Sequence, residues 1–250
     1  MHLDHVALAT RDAPSALRTL VGDLGATVVS GGQSLGFRPM QVYLGDATGG
    51  MKVELLEPWE IEHNDFLERF LARHGDGPHH LTFKVDDLAA TLADVEAAGI
   101  IPVGVNLDDP MWREAFLQPT DAHGTVVQLA ESSSPIKLPA GEYAWAVEHG
   151  QGGEPVWWPD VTRATDGTWF LRRVVMATPD VGATLDLFAG LLAGERVDEG
   201  EGWVELAWAS GARVRFEQRA DDRRGIDRLE VEGPGGPCDL TVAGARLRVL

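Results

Sequence analysis

The stretch LDHVALATRD at residues 3–12 returns 75 residues later as PHHLTFKVDD, and once more, worn down, as LRRVVMATPD at residues 171–180. A strand-to-helix junction that recurs along a chain constrains the fold strongly, because each copy is one unit that buries its apolar face against its neighbours. The unit ends match as well: MKVELLEP at 51–58 stands 74 residues before TVVQLAES at 125–132. His5 and His80 hold the same place in the first two copies, and Arg173 holds it in the third.

Periodicity fills in each copy. Residues 2–10 alternate as a strand, with His5, Ala7 and Ala9 on one face, a small-residue face suited to lining a cavity, and Val6 and Leu8 on the other. Asp12 caps a helix that runs to Leu24 and closes at Gly25. Strands over 26–30, 37–44 and 51–57 complete a β-α-β-β-β unit, and 64–74 reads as an amphipathic connecting helix. The second copy repeats the plan: a strand at 80–85, a helix at 88–98, then strands at 101–105, 113–118 and 125–131. A third starts at Phe170, with a helix over 181–193 and strands over 203–208 and 212–217. A fourth keeps only strands at 226–233 and 245–250, the gap between them being too short for a helix and the middle strands. The expectation is an α+β fold of tandem βαβββ modules with a degenerate second pair. Residues 1–132 form the first pair, 133–168 a packed linker rich in Ser, Pro, Gly and Trp, and 169–250 the eroded pair.

A formal charge of −18 argues against nucleic acid as a partner, since phosphate binding needs a basic surface. No apolar run approaches the ~18 residues of a membrane span, and the first residues lack a signal-peptide layout. One cysteine, Cys238, forms no internal disulfide, which fits a reducing cytoplasm. Walker, GxGxxG, CxxC and GxSxG motifs are absent.

The repeat itself carries the chemistry. His5 and His80 match on the first strands of their units, and Glu54 and Gln128 match on the last. Two imidazoles with two oxygen donors suit one divalent first-row ion and leave positions open for a small-molecule substrate. A single histidine on a strand is ordinarily structural; coincidence at four matched points is what lifts these above that reading.

With these residues the chain resembles the vicinal oxygen chelate superfamily, whose members include glyoxalase I, methylmalonyl-CoA epimerase, extradiol dioxygenases and drug-resistance proteins. The resemblance covers residues 1–132 well and 170–250 weakly. Segments 66–88 (FLERFLARHGDGPHHLTFKVDDL) and 112–131 (WREAFLQPTDAHGTVVQLAE) are most similar to methylmalonyl-CoA epimerase. It implies a cup of paired modules holding one divalent metal ion (zinc, nickel, cobalt, manganese or iron) on His5, Glu54, His80 and Gln128, with His80 rather than His79 as the ligand. It also implies a homodimer. Two departures matter. Gln128 stands where glyoxalase I and the epimerase usually have glutamate, and FRPMQV at 37–42 has no carboxylate where the epimerase draws its other base. An amide coordinates but takes no proton. Glu54 is then the base, removing a proton next to a carbonyl in a lyase, isomerase or epimerase reaction, and one base favours stereospecific isomerisation or elimination. Arg38 and Gln41 line the first module, and Trp112 covers the substrate. The alternatives are an Fe(II)-dependent ring-cleaving dioxygenase using the two histidines and Glu54, and a non-catalytic binder of the drug-resistance type.

In the C-terminal half, Arg173, Arg215, Arg228 and Arg248 occupy the four ligand places. Arginine binds no cation, so this half holds no metal. Its arginines either pair across strands with glutamates or form an anion site for phosphate or carboxylate.

Overall fold

The computed structural model describes residues 1–132, 157–164, 167–234 and 236–250. The first module consists of β1 (His2–Ala9), α1 (Ala13–Leu17), β2 (Thr27–Gly31), β3 (Gly36–Asp46) and β4 (Gly49–Trp59), with α1 running on into a π-helical turn at Arg18–Asp23. Helix α2 (Phe66–His74) leads to the second module: β5 (Gly77–Lys84), α3 (Leu88–Ala97), β6 (Val103–Asn106), β7 (Arg113–Leu117) and β8 (Val126–Glu131). Their strands form one eight-stranded sheet in the order β2-β3-β4-β1-β5-β8-β7-β6, so both modules read identically outward from the central pair β1 and β5.

The third module contains β9 (Phe170–Thr178), α4 (Val181–Leu185) with a π-helical turn at Asp186–Leu191, β10 (Glu195–Gly200), β11 (Trp203–Ala207) and β12 (Arg213–Gln218). The fourth retains β13 (Gly225–Glu232), β14 (Asp239–Val242) and β15 (Ala245–Val249). Together they form a seven-stranded sheet, β10-β11-β12-β9-β13-β15-β14. Two strands differ from expectation. β10 is additional, and β14 lies in the gap expected to be too short for a helix and the middle strands. A four-residue strand joined to β15 by a two-residue turn needs little chain.

The recurring aspartate does the same work three times. Asp12, Asp87 and Asp180 each accept from the backbone N–H three residues on, at 2.9, 2.9 and 3.0 Å, satisfying an orphan donor at the helix start.

The described residues group into two compact units. One comprises 1–5, 80–132 and 173–228. Its core is aromatic, with Phe83 against Trp208 at 5.3 Å between centroids and Phe188 against Phe216 at 4.8 Å. The other comprises 6–79, 157–172 and 229–250. Here Leu67 and Leu71 of α2 bury Ala7, Ala9 and Leu56, flanked by Phe37, Phe66 and Phe70. Ala7 and Ala9, read from sequence as cavity wall, are therefore core under α2. Of the linker, Trp158 is buried over Gly31, where a Cβ would come within 2.2 Å of its ring. Residues 133–156, with Trp145, lie outside the described residues.

Candidate metal centre

Strand alternation decides which side chains meet. β5 runs parallel to β8 with Thr82 opposite Gln128 and Lys84 opposite Ala130. β7 runs antiparallel to β8 with Phe116 opposite Gln128 and Glu114 opposite Ala130. His80, Thr82, Lys84, Gln128 and Glu114 consequently share one face. In the first module Gln41 lies opposite Glu54.

The rings of His5 and His80 stand edge to face, 5.8 Å between centroids, and both are buried. One ligand atom from each of His5, Glu54 and His80 lies within 4.8 Å of the other two. An ion with bonds of about 2.1 Å holds its ligand atoms about 3–4 Å apart, so a modest inward turn of the side chains closes this set. Two neutral imidazoles and one carboxylate are also the donor types a divalent first-row ion takes.

The surroundings of His5 supply a second test of fit. Its Nδ1 lies 2.8 Å from Asp4 Oδ2, both side chains being 1% exposed. An ionised carboxylate only accepts, so Nδ1 donates and Nε2 is left as the coordinating nitrogen, the arrangement that orients metal-bound histidines. His5 Nε2 in turn lies 2.9 Å from Thr82 Oγ1. That hydroxyl donates its one proton to Gln128 Oε1 at 2.6 Å, and Gln128 Nε2 donates to Glu114 Oε2 at 2.7 Å. Thr82 thus turns a lone pair toward a nitrogen that carries one too, a mismatch that a cation or proton on Nε2 relieves. The residues fit a metal ion.

Glu54, half-buried, accepts from Gln41 Nε2 at 3.1 Å. Gln128 is buried, its amide held at both ends by Thr82 and Glu114. Trp112 donates through Nε1 to Glu114 Oε2 at 3.0 Å, and the Lys84 ammonium lies 5.5 Å from its ring. Arg38 does not join this group. Three residues from Gln41 on the same strand, it lies on the opposite face, bonded through Nε to the buried Glu57 at 2.6 Å and stacked on Trp59 and Trp157. His79 likewise points away, its ring 4.6 Å from that of Phe70. Burial pushes its pKa down to about 4; the Glu54 charge opposes this shift and His74 adds to it.

Two residues that sequence reading passed over belong to the centre, Asp4 and Glu114. A signal for Glu114 existed. Two steps before the residue opposite the last-strand position stands Pro39 in the first module and Glu114 in the second.

Each of the four arginines lies beside a carboxylate. Arg173 and Arg215 share the buried Glu205, which Arg213 also reaches at 3.0 Å. Burial alone would raise the Glu205 pKa, but hydrogen bonds from Arg213, Arg173 and Arg215 outweigh it and hold it low. Arg228 bonds Glu217 at 2.6 Å and Asp227 at 3.1 Å, and Arg248 lies 3.6 Å from Asp239.

Paired βαβββ modules with two histidines and a carboxylate drawn together define a class of metal-binding domain. Residues 4–116 match the glyoxalase/bleomycin resistance protein/dioxygenase superfamily. The leading module pair belongs to that superfamily. Among solved structures, methylmalonyl-CoA epimerase from Streptomyces coelicolor is 26% identical, with a TM-score of 0.46, covering 54% of this chain and 99% of its own. The Mycobacterium tuberculosis methylmalonyl-CoA epimerase is 24% identical, with a TM-score of 0.47, covering 53% and 89%. A hypothetical protein from Staphylococcus aureus, 13% identical with a TM-score of 0.64, spans 100% of this chain and 98% of its own, and bears on the fold alone. No curated protein matches the sequence. Among the described residues, no helix is long and apolar enough to cross a membrane.

Proposed function

We propose that the leading module pair is a metal-dependent enzyme that removes a proton next to a carbonyl. The reaction is of the lyase, isomerase or epimerase type, on a small oxygenated or thioester substrate. The observation that carries this reading is the gathering of His5, Glu54 and His80 ligand atoms within 4.8 Å. His5, Glu54 and His80 would hold a divalent ion there, which when bound would supply a Lewis acid for the substrate carbonyl. Asp4 holds the His5 ring in the tautomer that presents Nε2. Gln41 orients the Glu54 carboxylate, which accepts the proton. Trp112 closes over the substrate on the second module's side.

Elemental analysis of the purified protein should find one divalent ion per chain. Glu54→Gln, still holding metal through the two histidines, should lose turnover on a panel of 2-oxo thiohemiacetals and acyl-CoA thioesters. A wild type without affinity for any first-row divalent ion, or a fully active Glu54→Gln, overturns the reading. Two histidines and one carboxylate are also the ligand set of Fe(II) oxygenases. Oxygen uptake by iron-loaded protein given a catechol would favour that second reaction instead.

A further inference from the structure

We infer that the third module holds an anion site built on Arg173, Arg213 and Arg215, for a phosphate group that is free or carried on a small molecule. All three arginines belong to one of the two compact units. The site does not depend on the metal-dependent reading above.

The register between strands puts these arginines where the first pair has its metal donors. β9 runs parallel to β12 with Val175 opposite Arg215, as β5 runs parallel to β8 with Thr82 opposite Gln128. Arg173 stands two residues before Val175, as His80 stands two before Thr82. Arg173 therefore has the place of a histidine ligand, and Arg215 that of the last-strand residue. Opposite Arg215 on the next strand is Glu205, and opposite Glu54 is Gln41. In the first module Gln41 donates to Glu54 at 3.1 Å. In the third, Glu205 accepts from Arg215 at 2.9 and 3.1 Å. A supported carboxylate, fit for a cation, has given way to a supported guanidinium, fit for an anion. The plan is kept and its charge is reversed.

What solvent meets on this face is positive. Glu205 is 1% exposed, whereas Arg173 and Arg215 are 19% exposed and Arg213 is 50%. A carboxylate offers about four lone-pair sites, and each guanidinium carries five N–H donors. Glu205 already accepts two hydrogen bonds from Arg215 and one each from Arg173 and Arg213. One buried carboxylate thus fixes three guanidinium groups without using up their donors. The carboxylates next to it are engaged elsewhere. Glu217 takes Arg219 and Arg228, and Asp198, opposite Glu205 on β10, accepts the Glu199 N–H. Arg215 lies over Trp203, 4.0 Å from the ring centroid, and gives Nε and Nη2 to Glu205. Planarity then aims its Nη1 away from that carboxylate. Preset guanidinium groups of this kind suit a tetrahedral oxyanion, because arginine meets phosphate through paired N–H donors. The chain's charge of −18 opposes an anion only weakly, since at physiological ionic strength charges beyond about 8 Å are largely screened.

The competing account is that these arginines only pair with carboxylates across the sheet. Arginine Nε–H resonances of isotope-labelled protein, assigned through Arg173→Lys and Arg215→Lys, would be followed as sodium phosphate is added at pH 8. The Arg173 and Arg215 signals should shift and saturate with phosphate, and should barely move with sodium chloride of equal ionic strength. Arg173→Gln and the more exposed Arg213→Gln should each raise the phosphate dissociation constant by about tenfold or more, the loss expected for a charge-assisted hydrogen bond. Shifts in wild type that do not saturate, or that chloride reproduces, overturn the inference without recourse to any variant. Phosphate binding that His80→Ala loses and Arg173→Gln keeps overturns it too, because the anion would then sit at the metal centre. Glycerol 3-phosphate would be titrated in parallel: tighter binding than inorganic phosphate assigns the site to an ester, and equal or weaker binding to the free ion.

Discussion

Asp4 shows how a side chain outside a candidate ligand set can position one of its members. Neighbours on a strand point to opposite faces, so the alternation that predicts His5 gives no hint that residue 4 will meet its ring. The contact is made all the same, 2.8 Å from Asp4 Oδ2 to His5 Nδ1, with both groups buried. Asp4→Asn keeps the size but lets the amide present either a donor or an acceptor, so the tautomer is no longer fixed. Loss of such an orienting carboxylate typically costs 10–100-fold in metal affinity, about that expected here by competition with a chromophoric chelator. His80→Ala, which removes a ligand outright, should lose more. An Asp4→Asn protein that binds zinc as tightly as wild type would show that the contact does not tune the metal.

Among elements, those repeated in the chain were legible and those without a pattern were not. β1, β5 and β9 follow from one recurring motif, down to the aspartate that caps each following helix. β10 left no trace because all six of its residues are exposed, so no alternation marks it. Arg38 departs from expectation for the opposite reason: the alternation is present, and three residues from Gln41 it sets Arg38 on the other wall of the strand. Glu114 is legible only from the register between strands, which matched strand ends alone do not supply. β14 went unread because its turn is only two residues long. Ala243 and Gly244 have φ of 46° and 70°, the left-handed pair of a type I′ turn. A Cβ on Gly244 would come within 1.9 Å of the Asp76 carbonyl oxygen. Gly244→Ala should therefore lower stability by more than about 1 kcal/mol, and Ala243→Asn, a residue that adopts this conformation readily, should raise it by about 0.5 kcal/mol. Urea midpoints of the two variants check both signs; equal midpoints would mean that the hairpin adds nothing to global stability.

At the scale of the molecule, the tandem pairs have taken opposite routes from one plan. Positions that hold metal donors in the first pair hold arginines in the second, and those arginines meet carboxylates instead of an ion. Glu205 is 1% exposed with three guanidinium groups on it. Glu217 is held low chiefly by its hydrogen bond with Arg228, against its burial. Both carboxyls titrate below the ordinary glutamate value of 4.5 in the folded chain. A group whose folded pKa is depressed binds its proton first in the unfolded chain. Its contribution is whole above the unfolded pKa and is lost as pH falls through the folded one. Acid should therefore weaken this protein from about pH 4.5 downward, in the range set by these two carboxyls. Glu205→Gln removes the counter-charge from three arginines at once, at a cost at pH 7 on the order of 3 kcal/mol. Wild type alone loses this contribution as pH falls below the unfolded value, so the deficit of the variant should be smaller at pH 3 than at pH 7. Urea midpoints measured at pH 7 and pH 3 would read this directly. A deficit of the same size at both pH values would mean that the glutamine fails on shape, and that charge pairing is not what holds the second sheet's arginines.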